Sequence, residues 1–162
     1  SYGDREKKLE ILKDPHCGAF AVIRLCTYFL AYFCVAFCIR FSPRVGLCWT
    51  LALVLERGLS GLAVAAFPMA KNTGLAHTFA TAADRESVQK ILIVLSVLLA
   101  AALIALGGGA LAAAALLMLW RYHHVAVKEF GGITGDLAGW FLQKAEFWML
   151  AALAASQWGG IL

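Results

Sequence analysis

Charged residues are scarce in this chain. Only 15% of its 162 residues are Asp, Glu, Lys or Arg, while 62% are hydrophobic and the mean hydropathy is +0.77. A soluble domain of this length is usually about half apolar and about a quarter charged. Because so small a body cannot bury this many apolar side chains, the composition excludes an ordinary soluble domain and predicts a protein of the bilayer.

Several sequence patterns of soluble proteins are also missing. The chain has no P-loop, no dinucleotide-binding glycine fingerprint and no defensible Ser–His–Asp order. It has no basic stripe with interleaved aromatics on a soluble face, so nucleic acid is not an expected partner. Five cysteines occur without a C-x-x-C pair, and we expect small buried thiols between helices rather than metal ligands or disulfides.

Long apolar segments are what the chain does contain. We predict an all-α, polytopic membrane helix bundle of about five transmembrane helices, since a span needs roughly 20 apolar residues. The bundle is expected to be a single transmembrane domain over residues 1–162. The predicted spans are residues 19–39, 45–69, 91–106, 110–127 and 138–155. A polar loop is predicted over residues 70–90, and a tight chain reversal at Gly107–Gly109.

The distribution of basic residues predicts the orientation. With the N-terminus inside, nine Lys and Arg residues fall on inner segments, while Arg40 and Arg44 fall on an outer loop. The positive-inside rule then places residues 1–16, 70–90 and 121–137 on one shared cytoplasmic face. The chain starts at Ser1 without a signal-peptide pattern, so we expect a processed chain or a piece of a longer one.

Two adjacent ionisable residues, Glu56 and Arg57, lie inside the second predicted span. Successive residues on a helix do not face each other, so the two should have different partners. Charges at this depth are costly and usually face the bundle interior. One interpretation is an Arg57 ion pair that only holds helices together. The other is an anion-binding arginine in a polar cavity, because the guanidinium fork can bind two phosphate oxygens.

A polar stripe opens the last predicted span. In the stretch GGITGDLAGWFLQKAEF, four residues fall within an arc of about 80° on one helical face: Asp136, Gly139, Gln143 and Glu146. A helix cap by Thr134 or Asp136, with a packing stripe behind it, is the structural alternative. A cap does not explain Glu146, which lies three turns deeper. The stripe therefore favours a polar cavity that opens to the cytoplasm.

Other polar residues lie on the same predicted face. Asp14 and His16 precede the first span, and Lys71 follows the second. The ordinary explanation of Asp14 and His16 is a turn before the span, and that of Lys71 is a positive charge that sets the orientation of the chain in the membrane. Sites of phosphoryl transfer usually contain acidic residues that hold a divalent cation, with Arg and Lys beside them.

Three stretches of the chain resemble the cobalamin synthase family, also called the adenosylcobinamide-GDP ribazoletransferases. The first, DREKKLEILKDPHCGAF, looks like the family's charged segment before a membrane helix, with matches at Asp14 and Gly18. The second, ERGLSGLAVAAFPMAKNTGL, is similar to the family's intramembrane arginine and its A-R/K-x-x-G-L stretch, with matches at Arg57, Lys71, Gly74 and Leu75.

The third stretch, GGITGDLAGWFLQKAEF, is the most specific part of the resemblance. It is similar to the family's G-G-x-T-G-D-x-x-G followed by E-x-x-E, with matches at Asp136 and Glu146. Gln143 stands where many members have glutamate, and Lys71 stands where arginine is common. Lysine keeps the charge but loses the guanidinium fork. The resemblance runs in order from residue 3 to about residue 155.

The resemblance implies a multi-pass enzyme of the bacterial or archaeal cytoplasmic membrane, with its polar site facing the cytoplasm. It would join adenosylcobinamide-GDP to α-ribazole or its 5′-phosphate with release of GMP, using Mg²⁺. Asp136 and Arg57 would be catalytic, and Asp14 and Asp136 would bind the metal. The substrate would be bound by Lys13, His16, Lys71, Thr134 and Glu146.

One departure from the family pattern limits what the resemblance implies. The family's aspartate-rich motif, of the H-x-D-G-x-x-D-x-x-D type, would lie upstream of the matched segments and is not in this sequence. We therefore expect the C-terminal part of a longer enzyme, and the alternative is a chain that has lost the main metal site and is inactive alone. A small transporter and a non-catalytic membrane scaffold stay open as alternatives, although no internal repeat supports a transporter. A homo-oligomer also stays open.

Overall fold

A computed structural model of the chain describes residues 4–12, 14, 16–70 and 84–162. Within these residues it contains six α-helices and no β-strand. One short helix precedes five long ones. The helices are α1 (Arg5–Ile11), α2 (Ala19–Phe37), α3 (Pro43–Ala66), α4 (Arg85–Ala105), α5 (Gly109–Val125) and α6 (Gly135–Trp158). A turn of π-helix, Ala126–Phe130, continues α5.

The long helices are those expected of a membrane bundle. Among the described residues, four segments are long and apolar enough to cross a membrane: Ala19–Phe37, Pro43–Ala66, Arg85–Ala105 and Gly109–Phe130. α6 has 24 residues, but Gln143, Lys144 and Glu146 lower its hydropathy. It nevertheless packs against α5 and α3 in the same bundle. The prediction of an all-α, polytopic membrane helix bundle is confirmed.

The core of the bundle lies between α3, α5 and α6. Its fully buried side chains include Ala52, Leu55, Ala115, Phe141 and Ala145. Lipid tails are as apolar as these side chains, so close packing rather than water exclusion holds such helices together. Alanines at the contacts let the helix backbones approach closely, and α5 and α6 pack as neighbours because residues 131–134 alone connect them.

α2 lies at the edge of the bundle. It has no buried residue and packs against α6. The expectation of buried cysteines is wrong for those on or beside this helix, because Cys17, Cys26, Cys34 and Cys38 are all exposed. Cys48, in α3, is buried as expected. Burial depended on which helix lies at the edge, and the residue type could not reveal that.

One end of the bundle, here called the turn end, consists of residues 38–42, 106–108 and 159–162. Gly107 has φ +82°, and the chain reverses there as predicted. The Arg44 side chain donates from Nε to the carbonyl oxygen of Leu106 at 2.8 Å. The side-chain amide of Gln157 accepts from the backbone N–H of Arg40 and donates to its carbonyl oxygen.

The opposite end, here called the motif end, consists of α1 and residues 67–70, 84–89 and 126–136. The prediction of a polar loop up to residue 90 is wrong in its last part, because α4 begins at Arg85. The side chains of Arg85 and Gln89 both donate to the carbonyl oxygen of Ala65, near the end of α3. The first residues of α4 thus supply donors to the end of α3, a tertiary contact that hydropathy could not reveal.

Candidate functional site

Two backbone hydrogen bonds join the segment after α3 to the segment before α6. The amide of Ile133 donates to the carbonyl oxygen of Pro68 at 2.8 Å, and the amide of Ala70 donates to that of Ile133 at 3.0 Å. Gly132, with φ +156°, permits this approach, because a Cβ there would lie 2.5 Å from backbone atoms of Pro68, Met69 and Ala70. This motif glycine is therefore required by the close contact of two backbones.

The start of α6 is capped by Thr134. Its hydroxyl accepts from the backbone N–H of Leu137 at 3.3 Å, and the residue is buried. Of the two caps that the sequence allows, the structure selects Thr134. Asp136 lies exposed in the first turn, where its negative charge faces the positive end of the helix dipole. The predicted catalytic carboxylate is thus presented at the surface of the motif end.

α1 packs against the π-helical turn that follows α5. Lys8 forms an ion pair with Glu129. The guanidinium of Arg5 lies against Gly131, whose φ is +71°, and a Cβ at that position would overlap it. Contacts of α1 with Glu129 and of Ala70 with Ile133 bring the three predicted segments to one end of the bundle. The described parts of these segments therefore lie at one end of the bundle, and their cytoplasmic orientation stays a prediction.

Asp14 and His16 form a local pair before α2. The Asp14 carboxylate accepts from the backbone N–H of His16 at 2.9 Å and lies 2.7 Å from the imidazole Nδ1. The backbone and side-chain hydrogen bonds from His16 hold the pKa of Asp14 below its usual range. Both side chains are exposed. These hydrogen bonds connect Asp14 to His16 and not to Asp136, the other predicted metal ligand.

An ion pair links α3 and α6 within the bundle. Arg57 donates from Nη2 to Oε1 of Glu146 at 2.8 Å, with 57% and 26% of the two side chains exposed. Arg57 lies about 14 Å from the motif end of α3, at about 1.5 Å per residue. The pair is the contact that the helix-holding interpretation requires. More than half of the Arg57 side chain is left uncovered by the described residues, so both interpretations of this residue stay open.

Tyr28 and Tyr32 of α2 belong to the same region, and the sequence reading missed them. The hydroxyl of Tyr28 donates to the carbonyl oxygen of Gln143 at 3.2 Å. The two tyrosines are one helical turn apart among the exposed phenylalanines of α2. A polar edge on an otherwise lipid-facing helix was the signal that could have identified them.

Two predicted substrate ligands, Lys13 and Lys71, lie outside the described residues, and so do the matched Gly74 and Leu75. Their roles stay predictions. The roles of His16, Thr134 and Glu146 in substrate binding also stay predictions. In the structure these three residues are engaged with Asp14, Leu137 and Arg57, respectively.

The described residues do not form a complete magnesium site by themselves. Mg²⁺ prefers six oxygen ligands, usually one or two carboxylates with waters and phosphate oxygens. No group of three or more His, Cys, Asp or Glu side chains that could hold a metal ion occurs in the part of the chain that the structure describes. Asp14 and Asp136 are separate exposed carboxylates. Magnesium binding therefore stays a prediction.

The bundle and its motif end define a polytopic membrane protein with a charged pair between its helices and a polar surface at one end. The chain belongs to the cobalamin-5-phosphate synthase family, because the family model of that description matches residues 1–154. No solved structure matches the chain.

Curated relatives share this family assignment. An adenosylcobinamide-GDP ribazoletransferase of Lachnoclostridium phytofermentans is 39% identical, over 95% of this chain and 59% of that protein. A protein of the same name from Pseudomonas syringae pv. tomato is 30% identical, over 94% of this chain and 62% of its own length. A third protein of this name, from a Geobacillus species, is 31% identical, over 92% of this chain and 59% of its own length. The chain therefore spans about three fifths of the curated relatives that it matches.

Proposed function

We propose that this chain is part of an adenosylcobinamide-GDP ribazoletransferase. The enzyme joins adenosylcobinamide-GDP to α-ribazole or its 5′-phosphate. A hydroxyl oxygen of the ribazole forms a bond to the phosphorus on the corrinoid side of the diphosphate. The bond from that phosphorus to the bridging oxygen breaks, GMP leaves with the bridging oxygen, and the hydroxyl proton passes to solvent. The relatives' shared name supports this assignment.

The observation that carries the proposal is the contact between separate motif segments. The segment ending at Ala70, which follows the Arg57 helix, is hydrogen-bonded to Ile133, beside the G-D start of α6. α1, from the first matched stretch, lies against Glu129 and Gly131 at the same end. Stretches that resemble the family far apart in sequence thus come together in space, which is expected when they build one site.

The proposed roles follow from the chemistry of each side chain. Arg57 offers a permanent positive charge and paired donors to a phosphate, so it would stabilise charge on the transferring group. Asp136, exposed at the start of α6, is the proposed catalytic carboxylate. By the positive-inside rule the motif end faces the cytoplasm of a bacterial or archaeal cell, where nucleotide-linked substrates are present.

Release of GMP by membranes that contain the complete protein tests this function. Asp136→Asn should lower turnover by about a hundredfold or more, the usual effect of removing a group that stabilises the transition state. Asp84→Asn is the matched control, because Asp84 is also an exposed aspartate beside a helix start at the motif end. Wild-type turnover in Asp136→Asn would exclude its catalytic role, and no GMP release from wild type would exclude the transferase.

Magnesium dependence is a separate part of the proposal. Asp14 and Asp136 would each contribute a carboxylate, with the remaining ligands outside the described residues. When bound, the ion would neutralise charge on the diphosphate. Chelation should abolish GMP release and added Mg²⁺ should restore it. Turnover that continues unchanged after exhaustive chelation would remove the metal from the proposal.

The Arg57–Glu146 pair also favours one alternative, a non-catalytic scaffold in which charged residues hold helices together. A scaffold predicts that Asp136→Asn changes stability without a change in any turnover. The same assay therefore separates the two functions, since only the transferase predicts GMP release that depends on Asp136.

A further inference from the structure

Glu56 is a carboxyl group that the proposed reaction leaves without a role. It lies in α3 immediately before Arg57, and 0% of its surface is exposed. Within the described residues, neither of its carboxyl oxygens has a hydrogen-bond partner. An ionised carboxylate is strongly disfavoured in such surroundings unless it is paired, and more so between membrane helices. The geometry therefore favours a neutral Glu56.

The charges around Glu56 lead to the same conclusion. Arg57 places its guanidinium on Glu146, and Glu56 directly precedes Arg57 in α3. From α2, the hydroxyl of Tyr28 donates to the carbonyl oxygen of Gln143, one turn before Glu146 in α6, and a tyrosine is uncharged at neutral pH. One guanidinium cannot neutralise two carboxylates in this space. Glu146 is paired and partly exposed, so the fully buried Glu56 is the group that holds a proton.

This arrangement bears on how Arg57 could bind an anion. More than half of the Arg57 side chain is exposed, and its guanidinium has five N–H donors, so a phosphate can compete with Glu146 for it. Glu146 would then lose its counter-charge between the helices. A carboxylate left without a partner opposes the exchange unless another donor replaces the guanidinium.

We propose that Glu56 is a protonated positioning residue, whose O–H donates to the Glu146 carboxylate when Arg57 turns to a phosphate of the substrate. No bond between heavy atoms changes in this step. The proton stays on Glu56 and the negative charge stays on Glu146. The Arg57 guanidinium keeps its positive charge and changes its partner from Glu146 to the phosphate. The inference rests on the proposed function for the phosphate, because adenosylcobinamide-GDP carries a diphosphate.

Infrared spectroscopy of the complete protein in lipid nanodiscs tests the protonation. At neutral pH we expect the C=O stretching band of a protonated carboxylic acid, lost in Glu56→Gln and retained in Glu86→Gln. Glu86 is a suitable control, because its exposed carboxylate pairs with Lys90 at the surface of α4. A wild-type spectrum without this band, or a band that survives in Glu56→Gln, overturns the proposal.

The exchange of partners is tested by adding adenosylcobinamide-GDP. The band should shift in the wild type as the O–H gains an acceptor, and Arg57→Gln should show the shifted band without substrate. Glu56→Gln should keep near wild-type kinetics, because its carboxamide still donates. Glu56→Leu should raise KM for this substrate about ten- to a hundredfold, with a smaller effect on kcat.

The outcomes separate this inference from the proposed function. If titration calorimetry shows that the substrate binds while the band stays unshifted, the exchange is wrong and the transferase stands. If Glu56→Gln is as impaired as Glu56→Leu, an ionised Glu56 is required and the inference fails. If the wild type neither binds the substrate nor releases GMP, the proposed function fails, and this inference fails with it.

Discussion

The two ends of the bundle share side-chain contacts but differ in their backbone contacts. At the motif end, Arg85 and Gln89 bond to the carbonyl oxygen of Ala65 through their side chains. Backbone also meets backbone there, because Pro68 and Ala70 bond to Ile133 at a position where Gly132 has no side chain. At the turn end, single side chains bond to backbone groups, as Arg44 does to Leu106 and Gln157 does to Arg40. Backbone contact leaves no room for side-chain adjustment, whereas long side chains can shift.

This difference indicates which end requires accurate positioning. The paired backbones place residue 133 immediately before the capping Thr134 and the exposed Asp136. A catalytic group must be held within a fraction of an ångström by its surroundings. The motif end has the close backbone contact that such placement requires.

The largest effect is expected from Gly132→Ala. Its Cβ would lie 2.5 Å from backbone atoms of the segment Pro68–Ala70, at a φ that L-residues rarely adopt, and we expect a loss of about 3 kcal/mol or more. Gly160→Ala, at the turn end, has φ +69° but no atom within 4 Å of its Cβ, and should cost about 1–2 kcal/mol. Thermal unfolding in detergent measures both. Equal losses would contradict the distinction between the two ends.

The ion pair between the two ends should give the next largest effect. Breaking a buried pair costs about 3–5 kcal/mol. Because Arg57 is 57% exposed, we expect about 1–2 kcal/mol for Arg57→Gln or Glu146→Gln. The double variant should lose less than the sum of the two single losses, since it leaves neither charge without a partner. Strictly additive melting temperatures would show that the pair contributes nothing to stability.

The two ends can be compared directly through one helix cap at each end. Ser42 caps α3 at the turn end, and Thr134 caps α6 at the motif end, each by accepting a backbone N–H three residues on. Replacing either residue by Ala should lower stability by about 1 kcal/mol. Thr134→Ala should also lower GMP release, whereas Ser42→Ala should not. Equal turnover in the two variants would contradict a special role of the motif end.

The smallest effect is expected from the exposed Asp14–His16 pair. Hydrogen bonds from His16 lower the pKa of Asp14. A depressed pKa adds stability that is present above the unfolded pKa and is lost as pH falls through the folded value. The melting temperatures of wild type and Asp14→Asn should therefore converge as the pH falls below about 4. Parallel curves over that range would show that the pair does not stabilise the fold.

Most of the helix architecture was readable from the sequence. The observed bounds of α2, α3 and α6 and of the α5 segment that ends at Phe130 differ from the predicted spans by at most three residues. A bilayer supplies no partners for backbone groups, so an apolar run of sufficient length must form a helix. α4 was the exception, because Arg85 and Gln89 join its first turn to the end of α3, and this tertiary contact leaves no trace in hydropathy.

The site was readable in part. Helical spacing placed Glu146 on a polar stripe, and the structure adds that its partner is Arg57. Spacing could not decide between Thr134 and Asp136 as the cap, because both residue types accept backbone N–H groups. The rule that charges within spans face the bundle interior holds for Glu56, which is fully buried, but not for Arg57, whose side chain is 57% exposed.

The sequence alone determined that the chain forms membrane helices and roughly where they begin and end. It also determined which polar residues the segments of the motif end contain. These properties depend on local composition and on the backbone's need for internal hydrogen bonds in lipid. Tertiary structure decided that Ile133 bonds to the segment Pro68–Ala70, that Arg57 pairs with Glu146, and that α2 is left at the edge. Those outcomes depend on which helices pack together, because the neighbouring helices, and not the residue type alone, decide whether a side chain is buried and what it pairs with.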